Sequence, residues 1–245
     1  MIIKLENPTM FAKVVDILSE LVSEVRIKVN EFGLSVTAMD PANISMVNFK
    51  IPRSAFAQFE SGNENLGINL DNLKQILRRC SVGSSLILEK NENNLKISIQ
   101  DRINRRFTLG LIDVESEDIN FEEKVSRIEF TSIIEMNSVD LVNSIEDCAI
   151  VSDACSLKIE NEKFIIEAKS LNSAMSEFSG DEVKMQAEDC KAKYSIEYLQ
   201  KFMKGAKICD KTSLRFAEDS PLRIDFKNPG IELNFILAPR VETDD

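Results

Sequence analysis

Two kinds of side chain in this 245-residue sequence could do chemistry: scattered carboxylates, and lysine or arginine side chains on short amphipathic segments. Carboxylates bind Mg²⁺, as a nuclease would require. The candidate ligands are Asp40, Glu146, Asp147 and Asp153. They form no compact motif, and no GxxxxGK[ST] or GxGxxG phosphate loop occurs. A metal-dependent nucleic-acid enzyme is therefore only an alternative. Metal-dependent activity of the purified protein would favour it. We expect no cofactor, and we assign no catalytic residue and no metal ligand.

Nucleophilic chemistry has little support. Histidine is absent, which excludes a Ser-His-Asp triad, a Cys-His dyad and any zinc site that uses histidine. The cysteine count is odd and no pair has CxxC spacing, which favours reduced, mostly buried thiols over disulfides. The five are Cys80, Cys148, Cys155, Cys190 and Cys209. We therefore expect a protein that is not an enzyme.

The composition is that of a globular protein, with 43% hydrophobic and 29% charged residues. No apolar stretch approaches the roughly 18 residues of a membrane helix. The first residues lack the basic, apolar and cleavage regions of a secretory signal. We expect a soluble, cytoplasmic protein without membrane contact.

The basic side chains are clustered, although the net charge of −11 by itself argues against nucleic-acid binding. Apolar spacing and caps predict four helices: about Pro8 to Ser23, with Asn7 as the cap, and three more after Asp71, Asn137 and Ser195. Three of them present cations on the face opposite the apolar residues. These are Lys13 in the first helix, Lys74, Arg78 and Arg79 in the second, and Lys201, Lys204 and Lys207 in the fourth. Such clustering suits a phosphate backbone, although it also occurs on ordinary solvated helices.

The third helix is the exception, because it presents Asn143, Glu146 and Asp147 instead of cations.

Between the helices, apolar and polar residues alternate along several segments, as in 25–29, 34–39 and 95–99. Polar turns separate these alternating segments, as at 31–33 and 91–94. This pattern predicts antiparallel strands.

The order of elements repeats along the chain. Residues 11–40 align with residues 141–170 at a constant offset of 130, and later elements align at offsets of 126 and 127. Between the copies lies an acidic stretch without a clear period, which predicts an extended linker. We therefore predict two similar domains, 1–113 and 128–245, joined by a connecting linker at 114–127.

Several stretches resemble the proliferating cell nuclear antigen family of DNA sliding clamps, in its archaeal and eukaryotic form. The C-terminal run from Phe235 to Glu242 resembles the family's Leu-Ala-Pro-Lys/Arg signature. Gly33 to Asp40, followed by Ile44 to Val47, resembles a family strand and the loop after it. Leu111 to Glu115 and Ser220 to Leu222 add two weaker matches. The resemblance covers essentially the whole chain.

The resemblance implies an α+β DNA clamp fold: each domain has antiparallel sheets with two helices on the inner face, and three subunits close head to tail into a ring. The implied subunit edges lie near 105–113 and 173–180, with apolar contacts from Phe107, Leu109, Leu111, Met175 and Phe178. Pairing open edges removes an aggregation liability. The expected assembly is a homotrimer; a subunit of a heterotrimeric clamp is the alternative.

The implied function is a processivity factor for DNA replication and repair, which encircles duplex DNA without reading its sequence. Lys13, Lys74, Arg78 and Lys204 are implied as inner-surface residues; helical position adds Arg79, Lys201 and Lys207. DNA polymerase, clamp loader, ligase and nuclease would insert short peptides into an outer pocket. The implied pocket residues are Met39, Ile44, Met46, Ile119, Pro221, Ile236, Ala238 and Pro239. An archaeal-type clamp would be associated with the nucleoid, and a eukaryotic one would be nuclear.

Overall fold

The computed structural model describes residues 1–115 and 119–240. The chain divides into two compact units. The first comprises Met1–Pro41, Val47–Ile119 and Asn228–Leu233; the second comprises Ala42–Met46, Asn120–Lys227 and Asn234–Asp245. Among the described residues, no helix is long and apolar enough to span a membrane.

The first half of the chain contains nine strands and two α-helices. In chain order they are β1 (Ile2–Leu5), α1 (Thr9–Leu18), β2 (Glu24–Asn30), β3 (Gly33–Met39), β4 (Ser45–Pro52), β5 (Gln58–Glu60), β6 (Glu64–Asn69), α2 (Leu70–Leu77), β7 (Ser85–Asn91), β8 (Asn94–Gln100) and β9 (Asn104–Gly110). A short 3₁₀ helix, Arg53–Ala55, follows β4. Strands β5-β1-β7-β8-β9 lie side by side in that order, as do β4-β3-β2-β6.

The second half repeats this order after a short helix. Its elements are α3 (Phe121–Val125), β10 (Ser132–Asn137), α4 (Ser138–Val151), β11 (Ala154–Glu160), β12 (Lys163–Lys169), β13 (Ser173–Phe178), β14 (Lys184–Gln186), β15 (Cys190–Ser195), α5 (Ile196–Met203), β16 (Lys211–Phe216), β17 (Leu222–Asn228) and β18 (Ile231–Leu237). A 3₁₀ helix, Lys204–Ile208, continues α5. Strands β13-β12-β11-β15 form one sheet, and β14-β10-β16-β17-β18 run side by side.

The predicted duplication is confirmed by the element bounds. Strands β11 and β12 begin 130 residues after β2 and β3, while β15 and α5 begin 126 residues after β6 and α2. The pairing repeats as well: β2 pairs with β3 and β6, and β11 pairs with β12 and β15, all antiparallel. Apart from the short strands β5 and β14, each half is two β-α-β-β-β runs, so the predicted α+β fold of two similar domains is correct.

Alternation of side chains along the strands explains which face is buried. In β2, Val25, Ile27 and Val29 are buried, while the residues between them are partly exposed. The hairpin from β2 to β3 requires glycine, because Gly33 has φ +137 and a Cβ there would lie 2.1 Å from the carbonyl oxygen of Ile51. Period-two burial therefore sets the register, and Gly33 permits the turn.

Helices α1 and α2 pack against each other in the first unit, as α4 and α5 do in the second. In each pair, the apolar face of both helices is buried in the core. In α5, the ring of Phe202 stacks on Phe235 of β18, with 4.2 Å between centroids. The predicted pair of helices in each domain is thus present, with the polar faces exposed.

Three local predictions were wrong. The second helix begins at Leu70, with Asn69 as its cap, rather than after Asp71. The first helix ends at Leu18 rather than near Ser23, and Pro8 is its N-cap rather than its first residue. Residues 121–125 of the linker form α3 rather than extended chain. Phe121 and Val125 are buried, and the Asn120 side chain accepts a hydrogen bond from the Glu123 backbone N–H at 3.3 Å. The sequence features that indicate this helix are the Asn120 cap and the two apolar residues, Phe121 and Val125, four positions apart.

Candidate nucleic-acid interface and peptide cavity

Four of the predicted DNA-binding cations belong to the helix pair of the first unit. Lys13 is exposed on α1, Lys74 lies within α2, and Arg78 and Arg79 follow the end of α2. Lys74 and Arg78 meet the same carboxylate: Asp16 Oδ1 lies 3.0 Å from Lys74 Nζ and 2.8 Å from Arg78 Nη2. Lys74 Nζ also donates to Ser19 Oγ at 2.9 Å. The structure therefore joins Lys74 and Arg78, both from α2 and its C-terminal end, to one carboxylate on α1.

The remaining three predicted cations follow one another along α5 and the 3₁₀ helix that continues it. Lys201 is partly buried, and its Nζ lies 2.8 Å from Glu197 and 5.1 Å from the centre of the Tyr198 ring. Lys204 and Lys207 are exposed. Lys204 is the residue after α5, as Arg78 is after α2, so the two copies place a cation at the same helix end. A cation there also interacts favourably with the helix dipole.

Helix α4 lacks the cation that α1 presents: at the offset of 130 residues, Asn143 stands at the position of Lys13, and Glu146 at that of Asp16. Asn143, Glu146 and Asp147 lie on it, and Glu146 and Asp147 are exposed. The exposed helix faces of the second unit therefore carry mixed charge, whereas those of the first unit are predominantly basic. Phosphate attraction is expected to be stronger at α1, α2 and the end of α5 than at α4.

A cavity of about 680 Å³ lies within the second unit. Three predicted pocket residues line it: Ile44, Ala238 and Pro239. The backbone N–H of Ala238 donates to the carbonyl of Ile44 at 2.9 Å, and that of Arg240 donates to the carbonyl of Lys193 at 2.7 Å. These bonds hold the C-terminal segment against the rest of the cavity wall.

The rest of the wall was not predicted from the sequence. It consists of Ala149, Ser152, Asp153, Ser195, Ile196, Glu197, Tyr198, Gln200 and Arg240. These residues come from the end of α4, the start of α5 and the C-terminal segment, and no local pattern shows that such distant segments meet. Arg240 Nη1 lies 2.8 Å from Asp153 Oδ2, and this guanidinium holds the pKa of the Asp153 carboxyl below its ordinary value. The lining of the cavity is therefore partly apolar and partly charged.

The other predicted pocket residues differ in accessibility. Met46 and Ile236 are buried, with 5% and 7% of their surface exposed, so neither presents much surface to a ligand. Pro221 is half-buried in the second unit, and Met39 and Ile119 are half-buried in the first. Residues 116–118 of the linker and 241–242 of the C-terminal run lie outside the described residues.

The predicted subunit edges coincide with strands at the margins of their sheets. In the described chain, β9 pairs only with β8 and β13 only with β12. Phe107 and Leu111 are half-buried, Leu109 is 8% exposed, Phe178 is half-buried and Met175 is 65% exposed. Each edge therefore offers unpaired backbone groups beside apolar side chains.

The carboxylates considered as metal ligands are divided between the two units. Asp40 is buried in the first unit, whereas the other three belong to the second. There Glu146 and Asp147 are exposed on α4, and Asp153 pairs with Arg240. Over residues 1–115 and 119–240, no group of three or more acidic, cysteine or histidine side chains could hold a metal ion.

The linker helix α3 is held by an arrangement that sequence reasoning missed. The guanidinium of Arg223 lies 5.6 Å from the centre of the Phe121 ring. Arg223 Nε donates to both oxygens of Asp225, at 2.8 and 2.9 Å, and Asn234 Nδ2 donates to Asp225 Oδ1 at 2.7 Å. These contacts fix the start of α3 on β17 of the second unit.

The duplicated antiparallel fold, with a helix pair in each half, is a DNA-clamp fold. The family model described as "Proliferating cell nuclear antigen, N-terminal domain" matches residues 1–123, and the one described as "Proliferating cell nuclear antigen, C-terminal domain" matches residues 124–241. This chain belongs to the proliferating cell nuclear antigen family.

Relatives and a solved structure agree with this assignment. The chain is 32% identical over 252 residues to a DNA polymerase sliding clamp of Pyrococcus horikoshii, covering 97% of each protein. It is 30% identical over 248 residues to one of Methanococcus vannielii, covering 97% of this chain and 98% of the relative. A crystal structure of proliferating cellular nuclear antigen from Entamoeba histolytica matches with a TM-score of 0.89 at 23% identity, covering 98% of both chains. This last likeness concerns the fold.

Proposed function

We propose that this protein is the subunit of a ring-shaped sliding clamp, a non-enzymatic processivity factor that encircles duplex DNA and tethers replication and repair proteins. The observation that carries the proposal is the pair of cations at equivalent helix ends, Arg78 and Lys204. They lie within basic faces in a chain whose net charge is −11. An acidic protein that gathers cations on selected faces attracts phosphate there and repels it elsewhere.

The contacts with DNA are expected to be weak and independent of sequence. Lys13, Lys74, Arg78, Arg79, Lys201, Lys204 and Lys207 are proposed to meet phosphates. Phosphate contacts carry no direct sequence information, so the protein can move along the duplex without losing a preferred register. Closure of the ring, rather than contact strength, would keep the protein on DNA.

Topological retention gives the most direct test. A clamp loaded on circular DNA, with its clamp loader where needed, is expected to remain bound through washing and to leave after the circle is cut once. An ordinary DNA-binding protein remains on the linear product, because its contacts do not depend on topology. Retention of the protein after linearisation, measured by gel filtration of labelled protein and DNA, would contradict encirclement.

The ring is proposed to form from three copies, with β9 of one subunit pairing with β13 of the next. Both strands lie at the margin of a sheet and carry apolar side chains, including Phe107 and Met175. Edge-to-edge pairing satisfies backbone groups and covers these side chains. A head-to-tail contact of this kind closes into a ring when the rotation between copies permits.

Met175→Asp is expected to convert the trimer to a monomer. Met175 is 65% exposed in the single chain, so the substitution should leave the fold intact while placing a charge in the proposed contact. Light scattering at micromolar concentration should show a mass near three times 27.7 kDa for the unmodified protein and near 27.7 kDa for the variant.

Leu171→Asp is the matched control for this experiment. Leu171 is fully exposed in the turn between β12 and β13, and the trimer should survive its substitution. A trimeric Met175→Asp variant would reject the edge assignment. A monomeric unmodified protein would instead favour the heterotrimer alternative, in which paralogous subunits complete the ring.

The cavity of the second unit is proposed as part of the site for partner peptides. Its apolar wall, with Ile44, Ala238 and Pro239, suits an apolar or aromatic anchor, and its polar groups suit a glutamine side chain. DNA polymerase, clamp loader, ligase and nuclease are the proposed partners. We propose Met39, Met46, Ile119, Pro221 and Ile236 as supporting residues.

We also propose the domain division at the linker of residues 114–127. The two family models meet within this range, between residues 123 and 124. A location beside the chromosome, in the cytoplasm or in a nucleus, follows from the proposed function.

A further inference from the structure

Asp16 occupies a position that a purely phosphate-attracting surface would not need. Its Oδ1 atom lies 2.8 Å from Arg78 Nη2 and 3.0 Å from Lys74 Nζ, so one carboxylate oxygen engages two of the proposed DNA-contacting cations. The contact joins α1 to α2. Ser19, the residue that caps the C-terminal end of α1, accepts a second hydrogen bond from Lys74 Nζ at 2.9 Å.

The three charged groups are accessible to different degrees. The side chain of Lys74 is 18% exposed, that of Asp16 38% and that of Arg78 63%. Burial acts to raise the pKa of the Asp16 carboxyl, but hydrogen bonds and charges from Lys74 and Arg78 outweigh it and lower the pKa overall. The carboxylate is therefore ionised at neutral pH, and Arg78 can exchange it for another anion at the surface.

We propose that Asp16 competes with DNA phosphate for Arg78 and Lys74, and thereby keeps each phosphate contact weak enough to exchange as the clamp slides. This inference rests on the proposed function, because it assumes that these cations meet phosphate. It assigns Asp16 as a positioning residue, which acts through the two cations rather than by touching DNA.

The physical reason is that a cation released from phosphate needs another partner. A cation that leaves a phosphate and finds no other partner loses its charge-assisted hydrogen bonds. That loss adds to the free-energy barrier for movement between adjacent positions on the duplex. With Asp16 in place, Arg78 returns to a carboxylate 2.8 Å away, so part of the loss is compensated within the protein. The same competition lowers equilibrium affinity, since each phosphate must displace Asp16.

The test is Asp16→Asn in the full-length protein, with a short blunt DNA duplex as the probe. The variant is expected to bind several-fold more tightly at low salt. Its plot of log affinity against log salt concentration should steepen by about 0.9 for each additional phosphate neutralised. Its one-dimensional diffusion coefficient on stretched DNA, measured by single-molecule fluorescence, should fall. Light scattering and thermal melting verify that the variant assembles and folds.

Asp71→Asn is the matched control. Asp71 is exposed in the first turn of α2, so its substitution removes the same charge from the same unit. An equal gain in both variants would overturn the inference, because net charge alone would then explain the effect. Unchanged or weaker DNA binding by Asp16→Asn would also overturn it.

The variant Arg78→Glu distinguishes failure of this inference from failure of the proposed function. If Arg78→Glu loses DNA affinity while Asp16→Asn gains none, the DNA surface stands and the role of Asp16 is rejected. If Arg78→Glu also leaves affinity and salt dependence unchanged, the DNA surface itself is wrong.

Discussion

A double charge reversal, Arg78→Glu with Lys204→Glu, is expected to lower DNA affinity by more than about tenfold at low salt. Each reversal removes a proposed phosphate contact and adds a repulsive charge, and a trimer repeats both changes three times. The plot of log affinity against log salt concentration should become shallower by about 0.9 for each lost contact. Stimulation of a DNA polymerase on a primed circle should fall in parallel, because the ring is loaded or retained less well.

Arg78 and Lys204 are both exposed, and each caps the C-terminal end of its helix. Replacement at the helix ends also removes a favourable dipole interaction, and Arg78→Glu breaks the ion pair with Asp16. Both effects are small for exposed groups, so the trimer mass should be unchanged and the melting temperature only slightly lower.

The matched control is Lys96→Glu with Lys124→Glu. These two lysines are exposed, on β8 and α3 rather than on the basic helices, and the double change alters net charge by the same amount. Its effect on DNA affinity should be much smaller. Equal loss in both double variants would show that only the overall charge matters. Unchanged DNA binding in the helix variant would reject the basic-helix assignment.

Ile44→Asp is expected to weaken binding of a partner peptide by at least about thirtyfold, or about 2 kcal/mol, the usual lower limit for a dominant interface residue. Ile44 lines the cavity of the second unit and is 40% exposed. A carboxylate there would face the apolar anchor of the peptide and lose hydration without gaining a partner. Fluorescence anisotropy with a labelled peptide that carries a glutamine and aromatic anchors measures the loss.

Accessibility makes Ile44 a better choice than Ile236 for this experiment. Ile236 is only 7% exposed, so a polar residue there would disturb the core and confuse loss of binding with loss of folding. Leu171→Asp again supplies the control, as an exposed leucine outside the cavity lining. Undiminished peptide binding by Ile44→Asp, with trimer mass intact, would contradict the assignment of the cavity.

The sequence by itself determined the local elements and their repetition. Alternating apolar residues predicted β2 and β3, and polar caps placed the starts of α4 at Ser138 and α5 at Ile196. Such signals work because side-chain periodicity and capping act within a few residues of the chain. The same locality made the duplication visible, since both copies repeat the same periods at nearly constant offsets.

Only the tertiary structure decided how distant residues combine. The ion pairs of Asp16 with Lys74 and Arg78 span about sixty residues, and the bond from Ala238 to Ile44 spans nearly two hundred. The tertiary structure also showed that Met46 and Ile236 are buried, while Ile44 is accessible. Apolar periodicity shows that a face needs covering, but it does not specify what covers it. The cavity and the paired charges therefore became visible only once the sheets and helices had packed.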